Sequence, residues 1–183
     1  MKIYKVFLLF LFLSSFFSSV QSSQENILNN LFNQLKKVNN SKNAILLEAK
    51  IWSIWNEHPT NSKLSERLEF GIELMQYGDY NYALRVFDNI IVTDPKWSEA
   101  WNKRATVYFL MSQFTNSLDD INKVLSIEPR HFGALSGQAR IFIKLKKYEK
   151  AIESIERALE FYPSFRSREL IPEIERLIKE ESI

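Results

Sequence analysis

The stretch 96–129, KWSEAWNKRATVYFLMSQFTNSLDDINKVLSIEP, decides the fold because its key positions recur at a constant spacing. Proline recurs every 34 residues, at Pro95, Pro129 and Pro163. Three more columns keep the same step: aromatic Tyr80, Phe114 and Tyr148; small Ala83, Ser117 and Ala151; apolar Phe87, Ile121 and Ile155. A period of this length is typical of stacked structural repeats. The sequence therefore predicts three copies of one unit, at 64–97, 98–131 and 132–165.

Each copy is predicted to form two helices of about a dozen residues, because its apolar residues recur at helical spacing. The turns between the helices are predicted at Gly78 and Asp79 and at the two corresponding pairs one and two repeats later. The chain contains only 4 glycines, which argues against a sheet-rich fold with many tight turns. The expected fold class is an all-α solenoid of helical hairpins.

A further helical hairpin is predicted at 23–63, ahead of the repeats. Its apolar residues step by three and four from Leu28 to Val38 and again from Ala44 to Trp55, with a break around Asn39. The hairpin is interpreted as a degenerate or capping pair, since Pro59 does not keep the 34-residue step to Pro95. Trp52 and Trp55 are not expected to face one core at this spacing. One of them is therefore expected to mark a contact surface, and Trp52 is the residue suggested for it. After the repeats, 166–183 are predicted to form a capping helix beginning near Pro172.

Residues 1–22 have the plan of a secretory signal peptide. Lys2 and Lys5 precede an apolar run that begins at Val6 and is too short to span a membrane, and small residues precede a cut after Ser22. No cysteine follows the run, so a lipoprotein anchor is excluded. The sequence predicts an exported protein. The alternative is an uncleaved segment that anchors the chain in a membrane.

Charge and composition narrow the partner classes. The chain has 24 basic and 22 acidic residues, and without Lys2 and Lys5 the two counts are equal. A neutral domain attracts a polyanion weakly, so a nucleic-acid partner is not expected. Without cysteine the chain has no disulfide and no thiolate ligand, and no cofactor is predicted. Membrane contact is expected only through an uncleaved N-terminal segment.

The repeat unit resembles the tetratricopeptide repeat, whose pattern is W-x2-L-G-x2-Y, then A-x3-F, then P. The middle copy supplies Trp101, Ala105, Tyr108 and Pro129. The departures include Arg104 and Gln138 in the leucine position and Ser117 for alanine. The glycine column keeps small residues, Gly71, Ala105 and Ala139, where two helices approach closely. The run RHFGALSGQAR from Arg130 is similar to exported bacterial members of the family whose function is not established.

The resemblance implies a right-handed superhelix whose concave surface is lined by the first helix of each copy. It places a peptide-binding groove on Leu68, Ile72, Met75, Asn102, Thr106, Phe109, Ser136, Arg140 and Ile143. In this groove Asn102 could bond a peptide backbone and Arg140 a carboxylate. The alternative is that the N-terminal hairpin or the last helix already fills the groove. Some family members clamp a C-terminal carboxylate with Lys, Asn and Arg; the corresponding positions here are Leu68, Ile72, Thr106, Gly133 and Gly137, so that clamp is absent.

The sequence contains no recognisable set of catalytic residues: no activated nucleophile, no metal-ligand cluster and no phosphate-binding loop. His131 falls in the 34-residue column of Trp97, so a packing role is expected, and a base without a nucleophile or orienting partner is not a site. His58 lies outside that repeat, and Asp119 and Asp120 are expected to be solvated. The family resemblance implies a bacterial host, so export would be to the periplasm and an uncleaved segment would lie in the inner membrane. The predicted function is a non-enzymatic protein–protein interaction module of the bacterial envelope. The alternative is a membrane-tethered structural assembly scaffold.

Overall fold

The computed structural model describes residues 23–38 and 41–181, and these form α-helices and one 3-10 helix without strands. The all-α repeat fold expected from the sequence is thus confirmed. Helix α1 covers residues 23–35. The others are α2 (Ser41–Asn56), α3 (Ser62–Gln76), α4 (Tyr80–Thr93), α5 (Ser98–Leu110), α6 (Phe114–Ile127), α7 (Phe132–Lys144), α8 (Tyr148–Phe161), the 3-10 helix Arg166–Leu170 and α9 (Ile171–Glu181).

The turn inside each repeat is set by one residue in the left-handed region. Gly78, Ser112 and Lys146 have φ of 83°, 58° and 56° and are spaced by one repeat. In each turn the next amide donates back to the carbonyl five residues earlier, as in the bond from Gln113 to Tyr108 at 2.8 Å. This is the Schellman ending of a helix, for which glycine is the preferred residue. Only the first repeat has glycine there.

The repeats are joined by apolar clusters that run from one helix pair to the next. Phe87 is fully buried and lies over Gly71, where an added Cβ would be 2.5 Å from its ring. Ala105 and Ala139, in the same column as Gly71, are also buried. These positions are small because the second helix of the pair leaves no room for a side chain.

The N-terminal hairpin packs against the third repeat. Its buried residues on α1 and α2 form one cluster with Phe132 and Leu135 of α7 and Ala158 of α8, and this cluster contains no buried residue of α3 or α4. Trp55 lies 5.1 Å from Phe132 between ring centroids. Among the described residues, the hairpin thus does not stack ahead of α3 as a preceding repeat would.

Helix α9 covers the far end of the solenoid. Ile174 is buried in a cluster with Tyr148 and Ile155 of α8, while Arg176 on the outer side pairs with Glu173 at 2.5 Å. The helix therefore has one apolar and one charged side, as a terminal cap requires. Within the described ranges, no helix is long and apolar enough to cross a membrane. The predicted signal peptide, 1–22, lies outside these ranges.

Candidate functional site

A cavity of about 350 Å³ opens where the first helices of the three repeats face the hairpin. It is bounded by α2, α3, α5 and α7, with α6 behind it. Six of the nine predicted groove residues line it: Met75, Asn102, Thr106, Phe109, Ser136 and Arg140. The structure therefore brings together residues that are up to 65 positions apart in the chain. We call this cavity and its rim the cleft.

The other three predicted groove residues lie elsewhere. Leu68 is only 1% exposed and belongs to the core cluster around Phe87, so it is not available to a partner. Ile72 lines a separate surface depression beside the loop after α2. Ile143 is partly buried against the cluster that contains α9. The family resemblance predicts that these three residues lie on the groove surface. In this structure they are buried in the core or lie away from the cleft.

The floor of the cleft includes two positions of α7 that lack a side chain. Gly133 and Gly137 both line it, and residues of α6, Ser117 and Ile121, are reached between α5 and α7. A Cβ at Gly137 would lie 3.6 Å from Ile121, an ordinary contact. At this point the floor is apolar because Ile121 and Gly137 form it, and a methyl group at position 137 would fit without strain.

One wall of the cleft is formed by the hairpin. Trp52 sits so close to Gly133 that a Cβ there would lie 2.8 Å from Trp52 Cζ2. Glu48, one helical turn earlier, accepts hydrogen bonds from Trp52 Nε1 at 3.4 Å and from the Tyr162 hydroxyl at 3.0 Å. Burial, together with the charge of Glu48, raises the pKa of Tyr162 to about 12. The sequence left two alternatives, an open groove and a groove filled by the chain itself. The structure lies between them, because the hairpin closes one side of the groove and leaves a cavity.

The prediction that Trp52 and Trp55 face different surroundings is wrong. Their ring centroids lie 5.3 Å apart and both pack against the hairpin cluster. Residues three apart on a helix are neighbours on its surface, so the two rings share one side of α2. Trp55 is buried there, whereas Trp52 reaches the cleft.

Behind the cleft, a buried ionic network connects α5 to α7. The fully buried carboxylate of Glu99 lies 2.9 Å from His131 Nε2 and 2.7 Å from the ammonium of Lys103. Burial acts to raise the pKa of Glu99, but the charge of Lys103 and the hydrogen bond with His131 outweigh it and lower that pKa to about 2. Asn102 donates one amide hydrogen to the same carboxylate at 3.0 Å. Lys103 and Asn102 are thus held at the cleft by a charge that has no access to solvent.

Arg140 differs from the other charged residues of the cleft, which are Glu48 and Lys103. It lies on the exposed side of α7, and within the described residues no carboxylate forms an ion pair with it. Lys103 is paired with Glu99, whereas Glu48 accepts hydrogen bonds from the neutral donors Tyr162 and Trp52, which do not cancel its charge. Of the two basic residues of the cleft, Arg140 is therefore the one that can pair with an acidic group of a ligand.

The two histidines have structural environments. His131 caps α7 by accepting the amide hydrogen of Ala134 at 3.1 Å, and its ring stacks on Trp55 at 4.0 Å. His58 lies 2.9 Å from Asp94. In the part of the chain that the structure describes, no group of three or more His, Cys, Asp and Glu could hold a metal ion. His131 therefore positions helices at the cleft, and its imidazole does not line the cavity.

Arg104 joins two repeats through ion pairs and does not line the cleft. It bonds Asp120 through Nε at 2.8 Å and Nη2 at 2.7 Å, and Asp88 of the preceding repeat at 2.7 Å. The expectation that Asp120 is solvated is therefore wrong: it is buried and paired. The signal that could have revealed this is the equal spacing of 16 residues on either side of Arg104, which places each acid on the second helix of a repeat.

Comparison with known sequences agrees with the repeat pattern. A family model described as the tetratricopeptide repeat matches residues 132–165. A TPR repeat-containing protein of Rhizobium etli is 33% identical over 149 residues, which are 81% of this chain and 72% of the relative. The Hsp70-Hsp90 organizing protein of Triticum aestivum is 24% identical over 115 residues, and the match spans 63% of this chain but only 19% of that protein.

Solved structures share the fold. The first TPR of Spaghetti (RPAP3), bound to the HSP90 peptide SRMEEVD, has a TM-score of 0.61 at 23% identity, covering 64% of this chain and 94% of that chain. The type III secretion chaperone SycD of Yersinia enterocolitica, in complex with a peptide of the translocator YopD, has a TM-score of 0.59 at 16% identity, covering 68% and 98%.

Proposed function

The chain belongs to the tetratricopeptide repeat family, and on that premise we propose that it is a non-enzymatic protein-interaction module that binds a peptide or partner protein in its cleft. The observation that carries the proposal is the cleft itself: Met75, Phe109 and Arg140 come from three successive repeats and line one cavity. A cavity of a few hundred Å³ with apolar walls and few polar groups is the usual form of a binding site.

Two structural neighbours support a peptide as the ligand. Spaghetti was solved with a peptide of HSP90 and SycD with a peptide of YopD. The cleft offers what such a ligand needs: apolar side chains for its anchors, and the exposed guanidinium of Arg140 for a carboxylate. Neither role calls for a metal or a cofactor.

We place this activity in the bacterial envelope, with periplasmic export as the first choice. The support is the charged and then apolar run within residues 1–22. Mass spectrometry of the protein isolated from its host tests the proposal, because a chain that begins at Ser23 is the expected product. An intact Met1 would instead favour the inner-membrane-anchored assembly scaffold.

The binding role is tested by cross-linking in the native host. Phe109→Ala and Arg140→Glu should each remove partners from the set that the wild-type chain captures, while circular dichroism shows an unchanged fold. Lys123→Glu is the matched control, since it reverses the charge of an exposed lysine on α6 that does not line the cleft. If both cleft variants capture the same set as the wild type, the cleft is not the binding site.

A further inference from the structure

Resting on the proposed function, we propose that the cleft selects an internal peptide segment in which a bulky apolar side chain adjoins an acidic one, and that the N-terminal hairpin is part of the recognition surface. The apolar side chain would enter the cavity between α5 and α7. The acidic side chain would pair with Arg140 at its mouth. Trp52 and Glu48 of the hairpin would form the wall opposite α7.

The inner part of the cleft is built for an apolar anchor. Phe109, Ala105, Ile121 and Ala134 line it, and Gly137 contributes no side chain. The cavity of about 350 Å³ can receive a large aliphatic or aromatic group. Burial of such a group in an apolar cavity is favourable in proportion to the area removed from water, so a small side chain would gain much less.

The charge of the anchor's neighbour follows from which groups are already paired. Lys103 is bound to Glu99 at 2.7 Å and lies 5.3 Å from the ring centre of Trp52. Glu48 accepts from Tyr162 and Trp52. Arg140 is the basic lining residue that has no ion pair within the described chain, so an acidic side chain of the ligand can pair with it. Arginine binds a carboxylate with two parallel hydrogen bonds, which gives direction as well as affinity.

An internal segment is favoured over a chain end because space continues past Arg140. A second cavity of about 910 Å³ shares Glu48, Ser136, Arg140 and Phe165 with the first. It extends along the start of α2 towards Arg166 and Leu170 of the 3-10 helix. A peptide anchored in the first cavity can therefore continue on both sides of Arg140, with the hairpin on one side and α7 on the other.

The hairpin wall distinguishes this site from a bare concave repeat surface. Trp52 packs directly over Gly133, and the Tyr162–Glu48 hydrogen bond of 3.0 Å ties α2 to the end of the third repeat. The wall is thus fixed relative to α7. A ligand that fits the cleft must fit against Trp52 as well as against the repeats.

The test is a library of immobilised peptides in which one central position and its two neighbours are varied over all residues. The library is made twice, once with both ends blocked and once with a free carboxyl end. The wild-type chain should select Phe, Leu, Met or Trp beside Asp or Glu. Exchange of the acid for Lys should weaken binding by roughly tenfold, the loss of one charge-assisted pair. Arg140→Glu should move the preference to Lys or Arg while it keeps the apolar anchor.

Two further variants test the anchor and the fold together. Gly137→Ala should keep the fold, because its Cβ fits beside Ile121, and should weaken peptides with the largest anchors first; Gly137→Leu should abolish binding. Lys123→Glu should leave the selection unchanged.

Four outcomes would overturn the inference: no preference for a bulky apolar residue, an acidic preference that persists in Arg140→Glu, binding by peptides with a free carboxyl end only, or no binding at all. If no library peptide binds but the cross-links in the host still depend on Phe109 and Arg140, the inference fails and the proposed function stands. If those cross-links are also unaffected by the variants, both fail.

Discussion

The contact of Trp52 with Gly133 gives the sharpest test of where the hairpin docks. In Gly133→Ala the new methyl group would lie 2.8 Å from Trp52 Cζ2 and closer still to Cη2. Overpacking of this kind costs about 1–3 kcal/mol, while replacement of a helical glycine by alanine returns about 0.5–1 kcal/mol. We expect a net loss of up to about 2.5 kcal/mol in the free energy of unfolding, measured by urea denaturation with far-UV circular dichroism.

The same change is then made in a Trp52→Leu background, where the six-membered part of the indole is gone. In that background Gly133→Ala should stabilise the protein by about 0.5–1 kcal/mol. The two single variants and the double variant form a double-mutant cycle, and its coupling energy between positions 52 and 133 should be about 1–3 kcal/mol. Gly137→Ala is the control, because it meets only an ordinary contact and should stabilise both backgrounds equally. An equal cost of Gly133→Ala in the two backgrounds would refute the docking of α2 on the third repeat.

Three further changes test other parts of the structure. Ser112→Gly should raise the free energy of unfolding by about 0.5–1 kcal/mol, since Ser112 has φ of 58°; a loss of stability would contradict the left-handed turn. Gly71→Ala should lower the melting temperature, because its Cβ would lie 2.5 Å from the buried ring of Phe87, at a cost of about 1–3 kcal/mol. The pKa of Glu99 is lowered from 4.5 to about 2 by Lys103 and His131 against the effect of burial, so its stabilisation is complete above pH 4.5 and is lost as the pH falls towards 2, by up to about 3 kcal/mol. Urea denaturation between those pH values should show this loss in the wild type and a flatter profile in Glu99→Gln; identical slopes would contradict the buried ion pair.

The repeats could be predicted from the sequence because their determinants are local and recur. A proline after the second helix, an aromatic residue at its start and a small residue where the helices cross each act within one unit of 34 residues. The turn at Ser112 could be placed from Gly78 by the period alone. The left-handed conformation of Ser112 and Lys146 could not be read from residue type, because both are poor residues for it.

The position of the hairpin could not be predicted in this way. The apolar spacing of α1 and α2 shows that each helix buries one face, but it does not say against which surface. The structure decides this through contacts between residues about 80 or more positions apart, such as Trp52 with Gly133 and Glu48 with Tyr162. For the same reason the repeat pattern located the side of the cleft formed by Phe109 and Arg140 but missed the wall formed by Glu48.

Trp55 explains why the hairpin has a defined position on the repeats. Its backbone carbonyl accepts the indole hydrogen of Trp97 at 3.0 Å, and its ring stacks on His131 at 4.0 Å. Trp97 and His131 occupy the same column of successive repeats, so one residue of the hairpin contacts two neighbouring units at equivalent positions. His131 is in turn fixed by Glu99, the carboxylate that also holds Lys103 at the cleft. The wall contributed by α2 and the polar groups contributed by α5 therefore depend on one continuous set of contacts, and a change that releases the hairpin would also disturb the binding side of the repeats.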